Sequence, residues 1–219
     1  MLRGVIFDFD GTLFDSMFIW DSAGETYLRA LGKEPEENLQ TVLKPMSLRQ
    51  SAAYIRRRYH LELSVEEIMQ GIGRVVEDFY FHTVEPKPGV IPFLEELRQR
   101  NIGMCIATAV ERYQAEAALE RCGMRAFFSG IFTCSELGSG KDEPILYRTA
   151  MAHLGTDRGS TIVVEDAYHA IRTAKEDDFV VAAVFDAGEA RQEEIRRLAD
   201  CCLTDLRDTD IFWKCASAL

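Results

Sequence analysis

The feature that most constrains the fold is the stretch Val5–Ser16, where an apolar run changes within a few positions to acids, a glycine and hydroxyls. A strand buried on both faces of a parallel sheet has a nearly continuous apolar sequence, so residues 3–8 are predicted to form a central strand. Asp8 and Asp10 appear at its carboxyl end. Ligands of open α/β sheets bind at that end of the strands, where the strand order reverses. The sequence therefore predicts a ligand site there.

The two acids in this stretch need a counter-charge. Carboxylates two residues apart repel each other and lose hydration energy on burial unless a cation or a proton lies between them. Gly11 allows the backbone to turn and to approach a bound anion closely. An Asp-Gly pair alone would be typical of a solvated turn, but the string DFDGTL, residues 8–13, is far more specific. It resembles the first motif of the haloacid dehalogenase-like hydrolases, in the D-x-D-G-T form of their phosphotransferases.

After Ser16 the sequence shows helical spacing and no convincing strand up to residue 84. Trp20 and Tyr27 recur at that spacing, which favours core positions for both. Capping-box patterns, S-x-x-Q at Ser47 and S-x-x-E at Ser64, precede helices predicted near 48–59 and 65–82. Two prolines and a glycine then end the helical pattern.

From residue 90 onward helices and strands alternate in short order, with strands predicted at 103–107, 130–133, 161–165, 180–185 and 201–204. This alternation is typical of a doubly wound, parallel, Rossmann-like α/β sheet. We therefore expect an α/β core domain of residues 1–15 and 85–219, with an inserted all-helical domain of residues 16–84. The arrangement resembles the members of the same family that carry a helical cap over the carboxyl edge of the sheet.

Three later segments resemble the family's remaining motifs. Thr108 and Ala109 end a predicted strand, where a hydroxyl alone would be an ordinary helix N-cap but here resembles the second motif. Lys141 follows Gly140, which resembles the family's G-K-P-x-P loop. Asp142 replaces the first proline of that pattern, so we expect a less rigid loop.

The last motif is Glu165-Asp166, a second pair of acids at the end of an apolar strand. Oxygen ligands from two such strand ends suit a hard cation such as Mg²⁺. The family pattern continues E-D-S-x-x-G-I, whereas this chain has Ala167 and His169 in place of the serine and the glycine. His169 is either a substrate contact or an exposed side chain.

The resemblance implies a phosphatase that works through an aspartyl-phosphate. Asp8 would attack phosphorus, Asp10 would act as general acid and then base, and Lys141 would neutralise charge. The residues implied to bind the phosphoryl group are Phe9, Gly11, Thr108, Ala109 and Lys141. The residues implied to hold Mg²⁺ are Asp8, Asp10, Asp166 and, nearby, Glu165. Candidate contacts to the rest of the substrate are Ser16, Trp20, Arg49 and His169.

Two alternatives remain open. A β-phosphoglucomutase-like sugar-phosphate mutase shares the fold and motifs, but such enzymes place a histidine where this chain has Trp20. A mutase also needs a second phosphate site, for which Arg49 is the best candidate, although it could simply solvate a helix start. A binding protein that keeps the fold without the chemistry is the third reading.

Net charge, cysteine spacing and hydropathy restrict the kinds of partner that we expect for the chain. The net charge of −11 argues against nucleic acid or an anionic membrane as the main partner. The six cysteines have no metal-binding spacing, and we expect reduced thiols in a cytoplasmic protein. No leader pattern and no span of ~20 apolar residues is present in the sequence. We expect a small phosphorylated metabolite as substrate, and the oligomeric state stays open.

Overall fold

The computed structural model of the chain describes residues 1–43, 46, 48–207, 209–217 and 219. These residues divide into two compact units, Met1–Asp15 with Val84–Leu219 and Ser16–Thr83, hereafter the sheet unit and the helical unit. The division falls one residue before the boundary expected from the sequence. Val84 is buried in full, and its carbonyl oxygen accepts a hydrogen bond from Arg121 of the sheet unit.

The described part of the sheet unit contains a six-stranded parallel sheet in the order β3-β2-β1-β4-β5-β6. The strands are β1 (Gly4–Phe7), β2 (Gly103–Thr108), β3 (Ile131–Thr133), β4 (Thr161–Glu165), β5 (Val180–Val184) and β6 (Cys201–Leu203). The predicted fold class, a doubly wound parallel α/β sheet, is confirmed.

β1 lies in the middle of the sheet because it is apolar on both faces. Its residues Val5–Phe7 are fully buried, and Ile6 is in register with Cys105 of β2 on one side and Val163 of β4 on the other. The chain continues from β2 to β3 in one direction and from β4 to β6 in the other. The strand order therefore reverses beside β1, which is where ligands bind in such sheets.

The α-helices of the described residues are α1 (Met17–Ala30), α2 (Leu39–Leu43), α3 (Leu48–Arg58), α4 (Val65–His82), α5 (Val90–Gln99), α6 (Arg112–Arg121), α7 (Cys134–Leu137), α8 (Ile145–Leu154), α9 (Tyr168–Glu176), α10 (Gln192–Leu198) and α11 (Asp210–Ala216). Two 3₁₀ turns, Arg125–Phe127 and Arg158–Ser160, precede β3 and β4. None of the helices in the described ranges combines the length and the apolar character that crossing a membrane requires.

The helical unit consists of α1 to α4, and no strand occurs among its described residues. The capping box predicted at Ser64 is present, since Ser64 Oγ accepts from Glu67 N at 3.2 Å and the Glu67 carboxylate accepts from Ser64 N at 2.7 Å. The pattern predicted at Ser47 lies outside the described residues. The short helix α2 was not predicted.

Of the two aromatic residues of α1 that were predicted to lie in the core, one is exposed. Tyr27 is buried, as expected, but Trp20 is 53% exposed. The buried stripe of α1 begins at Ile19 and continues through Ala23 to Tyr27. Trp20 lies one position, or about 100°, around the helix from that stripe, so the prediction of a core role was wrong.

The two segments that flank the helical unit in sequence are joined within the sheet unit. Asp15 N donates to Glu85 O at 3.1 Å, and Lys87 N donates to Leu13 O at 2.8 Å. Phe14 and Pro86 form an antiparallel bridge between these two hydrogen bonds. We refer to residues 13–15 and 85–87 as the connecting ribbon.

Candidate active site

Acidic side chains from two adjacent strands converge at the carboxyl edge of the sheet. Asp8 follows β1 directly, and its N–H donates to Val164 O of β4 at 2.9 Å. Glu165 is the last residue of β4, and Asp166 follows it. Carboxylate oxygens of these three residues lie within 4.8 Å of one another, and all three side chains are buried. The register of β1 and β4 thus assembles an acidic cluster where the strand order reverses.

Lys141, from the loop between α7 and α8, enters this cluster. Its Nζ forms ion pairs with Asp8 Oδ1 and, at 2.6 Å, with Glu165 Oε1. Burial alone would lower the pKa of Lys141, but the two carboxylates outweigh it and raise the pKa above its ordinary value. The lysine is therefore a permanent positive charge in contact with Asp8.

One lysine does not balance three buried acids. Burial, and then the neighbouring Glu165 carboxylate, raise the pKa of Asp8 to about 7, against the lowering influence of Lys141. Burial together with Glu165 and Asp8 also raises the pKa of Asp166. A buried set of oxygen donors with excess negative charge fits a hard divalent cation, which would favour the ionised forms.

Glu165 differs from the other two acids because its acceptor positions are filled. Its Oε1 accepts from Lys141 and from Tyr147 Oη at 3.0 Å. Its Oε2 accepts from the backbone N–H groups of Asp166 at 2.9 Å and Ala167 at 3.1 Å. A carboxylate offers about four lone-pair positions. Asp8 and Asp166 could therefore take a cation more readily than Glu165, whose carboxylate is bonded to Lys141.

The loop of residues 9–14 carries Asp10 and folds tightly on itself. Gly11 has a φ of +72°, and its N–H donates to Phe14 O at 2.9 Å, so this amide is engaged inside the loop. A Cβ at Gly11 would overlap the Asp166 carboxylate. Thr12 Oγ1 donates to Asp166 Oδ1 at 2.9 Å. Gly11 and Thr12 thus fit the loop closely against Asp166.

Comparisons with known proteins agree with this geometry. A sequence model of haloacid dehalogenase-like hydrolases matches residues 5–184. The chain belongs to this family. Among its relatives, the phosphorylated carbohydrates phosphatase of Thermotoga maritima is 22% identical over 80% of this chain and 81% of its own. The phosphoglycolate phosphatase of Synechococcus elongatus is 26% identical over 92% of both.

A solved structure supports the fold. The structure of a β-phosphoglucomutase-like protein from Thermotoga maritima superposes with a TM-score of 0.86 at 19% identity, covering 97% of this chain and 99% of that one. The predicted family is confirmed, and so is its fold.

The remaining phosphate-binding candidates lie at the same edge of the sheet. Thr108 ends β2 and is buried, and its Oγ1 accepts from Val110 N at 3.0 Å. Ala109 is exposed beside it. Phe9, the residue between the two acids of the first motif, is fully buried.

The chain departs from the haloacid dehalogenase-like pattern at two loops, and the structure shows what replaces the missing residues. In the Lys141 loop, Ser139 Oγ donates to Glu143 Oε2 at 2.8 Å, an internal contact across the position where the family has proline. At the start of α9, Ala167 has no hydroxyl to act as the cap. Tyr168 N, the first N–H of the helix, donates to Glu189 Oε2 at 3.0 Å.

The candidate substrate contacts are dispersed. Ser16, Trp20 and Arg49 belong to the helical unit. Ser16 is buried there, and Arg49 forms an exposed ion pair with Glu66 at 2.8 Å. His169 is exposed on the first turn of α9 in the sheet unit. Sequence reasoning missed Thr12, Tyr147 and Glu189. Thr12 alone had a local signal, as the last residue of D-x-D-G-T.

Proposed function

We propose that this haloacid dehalogenase-like hydrolase releases phosphate from a small phosphorylated metabolite, with Asp8 as nucleophile and Mg²⁺ as cofactor. The observation that carries the proposal is the buried contact of Asp8 with Lys141 beside Asp166, at the edge where the strand order reverses. The enzyme class, a phosphoric monoester hydrolase, is as predicted, since curated relatives of the chain are phosphatases.

In the proposed reaction an Asp8 carboxylate oxygen attacks phosphorus and forms an aspartyl-phosphate as the bond to the substrate oxygen breaks. Asp10 gives a proton to that leaving oxygen, and later takes one from the water that hydrolyses the intermediate. Lys141 and the Thr108 hydroxyl hold phosphoryl oxygens and act through charge and position.

The residues that would hold Mg²⁺ are the carboxylates of Asp8 and Asp166 and the backbone carbonyl of Asp10. The bound ion would supply positive charge against the phosphoryl oxygens. Asp166→Ala should weaken Mg²⁺ binding measured by calorimetry without substrate. Unchanged affinity in that variant would remove Asp166 from the ligand set.

The decisive experiment measures phosphate release from p-nitrophenyl phosphate and from a panel of phosphorylated metabolites, with Mg²⁺ or with chelator. Asp8→Asn should abolish release, whereas Asp10→Asn should slow it strongly and accumulate phosphorylated protein. Near-normal activity of pure Asp8→Asn would refute the nucleophile assignment. Absence of release by the wild type under all conditions would favour a binding protein.

A mutase of the β-phosphoglucomutase type is the second candidate, because the chain superposes on such a protein. Two observations support hydrolysis over this alternative. Trp20 stands where such mutases have histidine, and Arg49 is paired with Glu66. Conversion of glucose 1-phosphate to glucose 6-phosphate faster than phosphate release would reverse this order.

We also propose a cytoplasmic enzyme that acts on metabolites and has no nucleic-acid or membrane partner. The net charge of −11 supports this, because it disfavours polyanionic surfaces. The six cysteines are all free thiols, which suits a reducing compartment.

A further inference from the structure

The reaction proposed above gives no role to Lys87, a lysine whose side chain is only 12% exposed. Its Nζ donates to Gly11 O at 2.6 Å, to Phe185 O at 2.9 Å and to Asp186 Oδ2 at 3.0 Å. An ammonium group has three donors, and these three acceptors use all of them. Lys87 is therefore built into the protein as a fixed contact and has no donor left for a substrate.

The first acceptor connects Lys87 to the loop that carries Asp10. Gly11 O belongs to the peptide group between Gly11 and Thr12, and Thr12 Oγ1 donates to Asp166. Lys87 N also donates to Leu13 O at 2.8 Å. The loop is thus held from one side by Asp166 and from the other by the backbone and side chain of Lys87.

The other acceptors connect Lys87 to the loop after β5. Asp186 is almost fully buried and is the charged partner of Lys87, while its Oδ1 accepts from Gly188 N at 2.8 Å. Glu189 in the same loop accepts from Tyr168 N at the start of α9, two residues after Asp166. A buried charge persists where it is paired and hydrogen-bonded. The Lys87–Asp186 pair therefore joins the Asp10 loop to a segment that also contacts the helix following Asp166.

We propose that the buried Lys87–Asp186 pair is a positioning device for the loop of residues 9–14. It fixes the backbone of Asp10, whose carbonyl and carboxyl groups have roles in the proposed reaction, without touching the substrate. The part of the proposal that concerns the metal rests on the proposed function. The part that concerns the loop does not.

The chain offers a matched control. Lys175 Nζ pairs with Asp200 Oδ2 at 2.6 Å, and Asp200 precedes β6, at the amino edge of the sheet. Lys175→Met breaks a lysine–aspartate pair of the same kind away from the acidic cluster. The Lys175 pair is more exposed than the Lys87 pair, with side chains 23% and 34% exposed against 12% and 8%. Lys175→Met therefore controls for the loss of a lysine–aspartate pair as such.

Two measurements test the proposal on the full-length chain. In hydrogen–deuterium exchange, Lys87→Met should accelerate exchange of the amides of residues 9–14, and Lys175→Met should not. In calorimetry without substrate, Lys87→Met should weaken Mg²⁺ binding by about tenfold or more, the usual cost of losing a contact that orients a metal ligand, and Lys175→Met should leave it unchanged.

The outcomes separate the two proposals. If residues 9–14 exchange at the same rate in Lys87→Met as in Lys175→Met, the positioning role is overturned. This conclusion does not depend on whether the wild type binds Mg²⁺. A wild type that binds no Mg²⁺ refutes the metal assignment, while faster loop exchange in Lys87→Met still supports positioning. If Lys87→Met does not fold, Asp186→Asn replaces it, and wild-type loop exchange in that variant overturns the proposal.

Discussion

Asp8 carries a charge that the metal-free fold does not favour. Its pKa rises from 3.8 to about 7 on burial beside Glu165, so the folded chain binds this proton more tightly than the unfolded chain. This group therefore has no effect on stability below about pH 4. As the pH rises from about 4 to about 7, the free energy of unfolding falls, by up to about 4 kcal/mol. A reactive side chain held at a cost in stability is common in active sites.

We expect Asp8→Asn to make the metal-free protein more stable than the wild type near neutral pH, because the amide carries no charge. This advantage should vanish at about pH 4, where the Asp8 carboxyl is protonated in both states. Urea unfolding of both proteins in chelator across this range measures it. A stability difference independent of pH would contradict the explanation. Mg²⁺ should stabilise the wild type more than the variant.

Tyr147 donates a hydrogen bond to the Glu165 oxygen that also contacts Lys141, a contact that the sequence does not reveal. Tyr147→Phe leaves a buried oxygen of Glu165 without one donor, which should cost about 1–3 kcal/mol of stability. The same oxygen should then attract Lys141 more strongly and loosen its contact with Asp8, so kcat should fall. Tyr113→Phe, at a half-exposed position on α6, serves as control. Equal kcat values for the two variants would show that Tyr147 has no influence on Lys141.

The side chains of the acidic cluster could be predicted because they occupy short motifs directly after strands. Their supporting contacts could not. Lys87 and Asp186 are 99 residues apart, and Tyr147 and Glu165 lie on different elements. Such pairs arise only when the sheet assembles, and no local pattern of residue types encodes them.

Helix α9 begins with a cap supplied from another loop. Glu189→Ala removes the acceptor for Tyr168 N and should cost about 0.5–2 kcal/mol, the usual range for a lost N-cap. Ala167 has extended backbone angles suited to an N-cap residue. A serine at this N-cap would accept from His169 N or Ala170 N and not from Tyr168 N, so Ala167→Ser should add a similar increment of stability to the wild type and to Glu189→Ala.

Thermal unfolding of the wild type, the two single variants and the double variant measures the coupling energy between positions 167 and 189. A stabilisation by Ala167→Ser that depends strongly on the presence of Glu189 would contradict the assignment of separate N–H groups to the two side chains. Glu193→Ala, which removes an exposed ion pair with Arg196, controls for the loss of a surface carboxylate.

Among elements, the strands and most helices followed from the sequence, but the short helices α2 and α7 did not. Parallel strands such as β1 and β4 are apolar throughout because both faces are buried, which makes them visible in sequence. α2 has five residues, too few to display a 3.6-residue period. Trp20 was misassigned because residues one position apart on a helix can both fit an approximate period while facing different surroundings.

The helical unit is one segment of chain, and the motifs of the catalytic acids all lie outside it. The first turn of α1 exposes the apolar side chains of Met17, Phe18 and Trp20, which offer binding surface without catalytic groups. We expect exchange of residues 17–83 for the matching segment of a relative to transfer that relative's substrate ranking. The measurement is kcat/KM across a metabolite panel for both parents and the chimera.

A folded chimera that keeps the original ranking would place substrate selectivity in the sheet unit. The paired control is Asp8→Asn in the chimera, which should abolish its activity as in the parent. Residual turnover in that control would reveal a contaminating phosphatase.

The connecting ribbon has a consequence for how this chain can be rebuilt. Because Asp15 N and Glu85 O are 3.1 Å apart, the chain leaves the sheet unit and returns to it at almost the same point. Chain ends this close can be linked by the short turn of a hairpin. We expect a minimal protein with such a turn in place of residues 16–83 to fold, since all six described strands and the three acids of the cluster belong to the sheet unit.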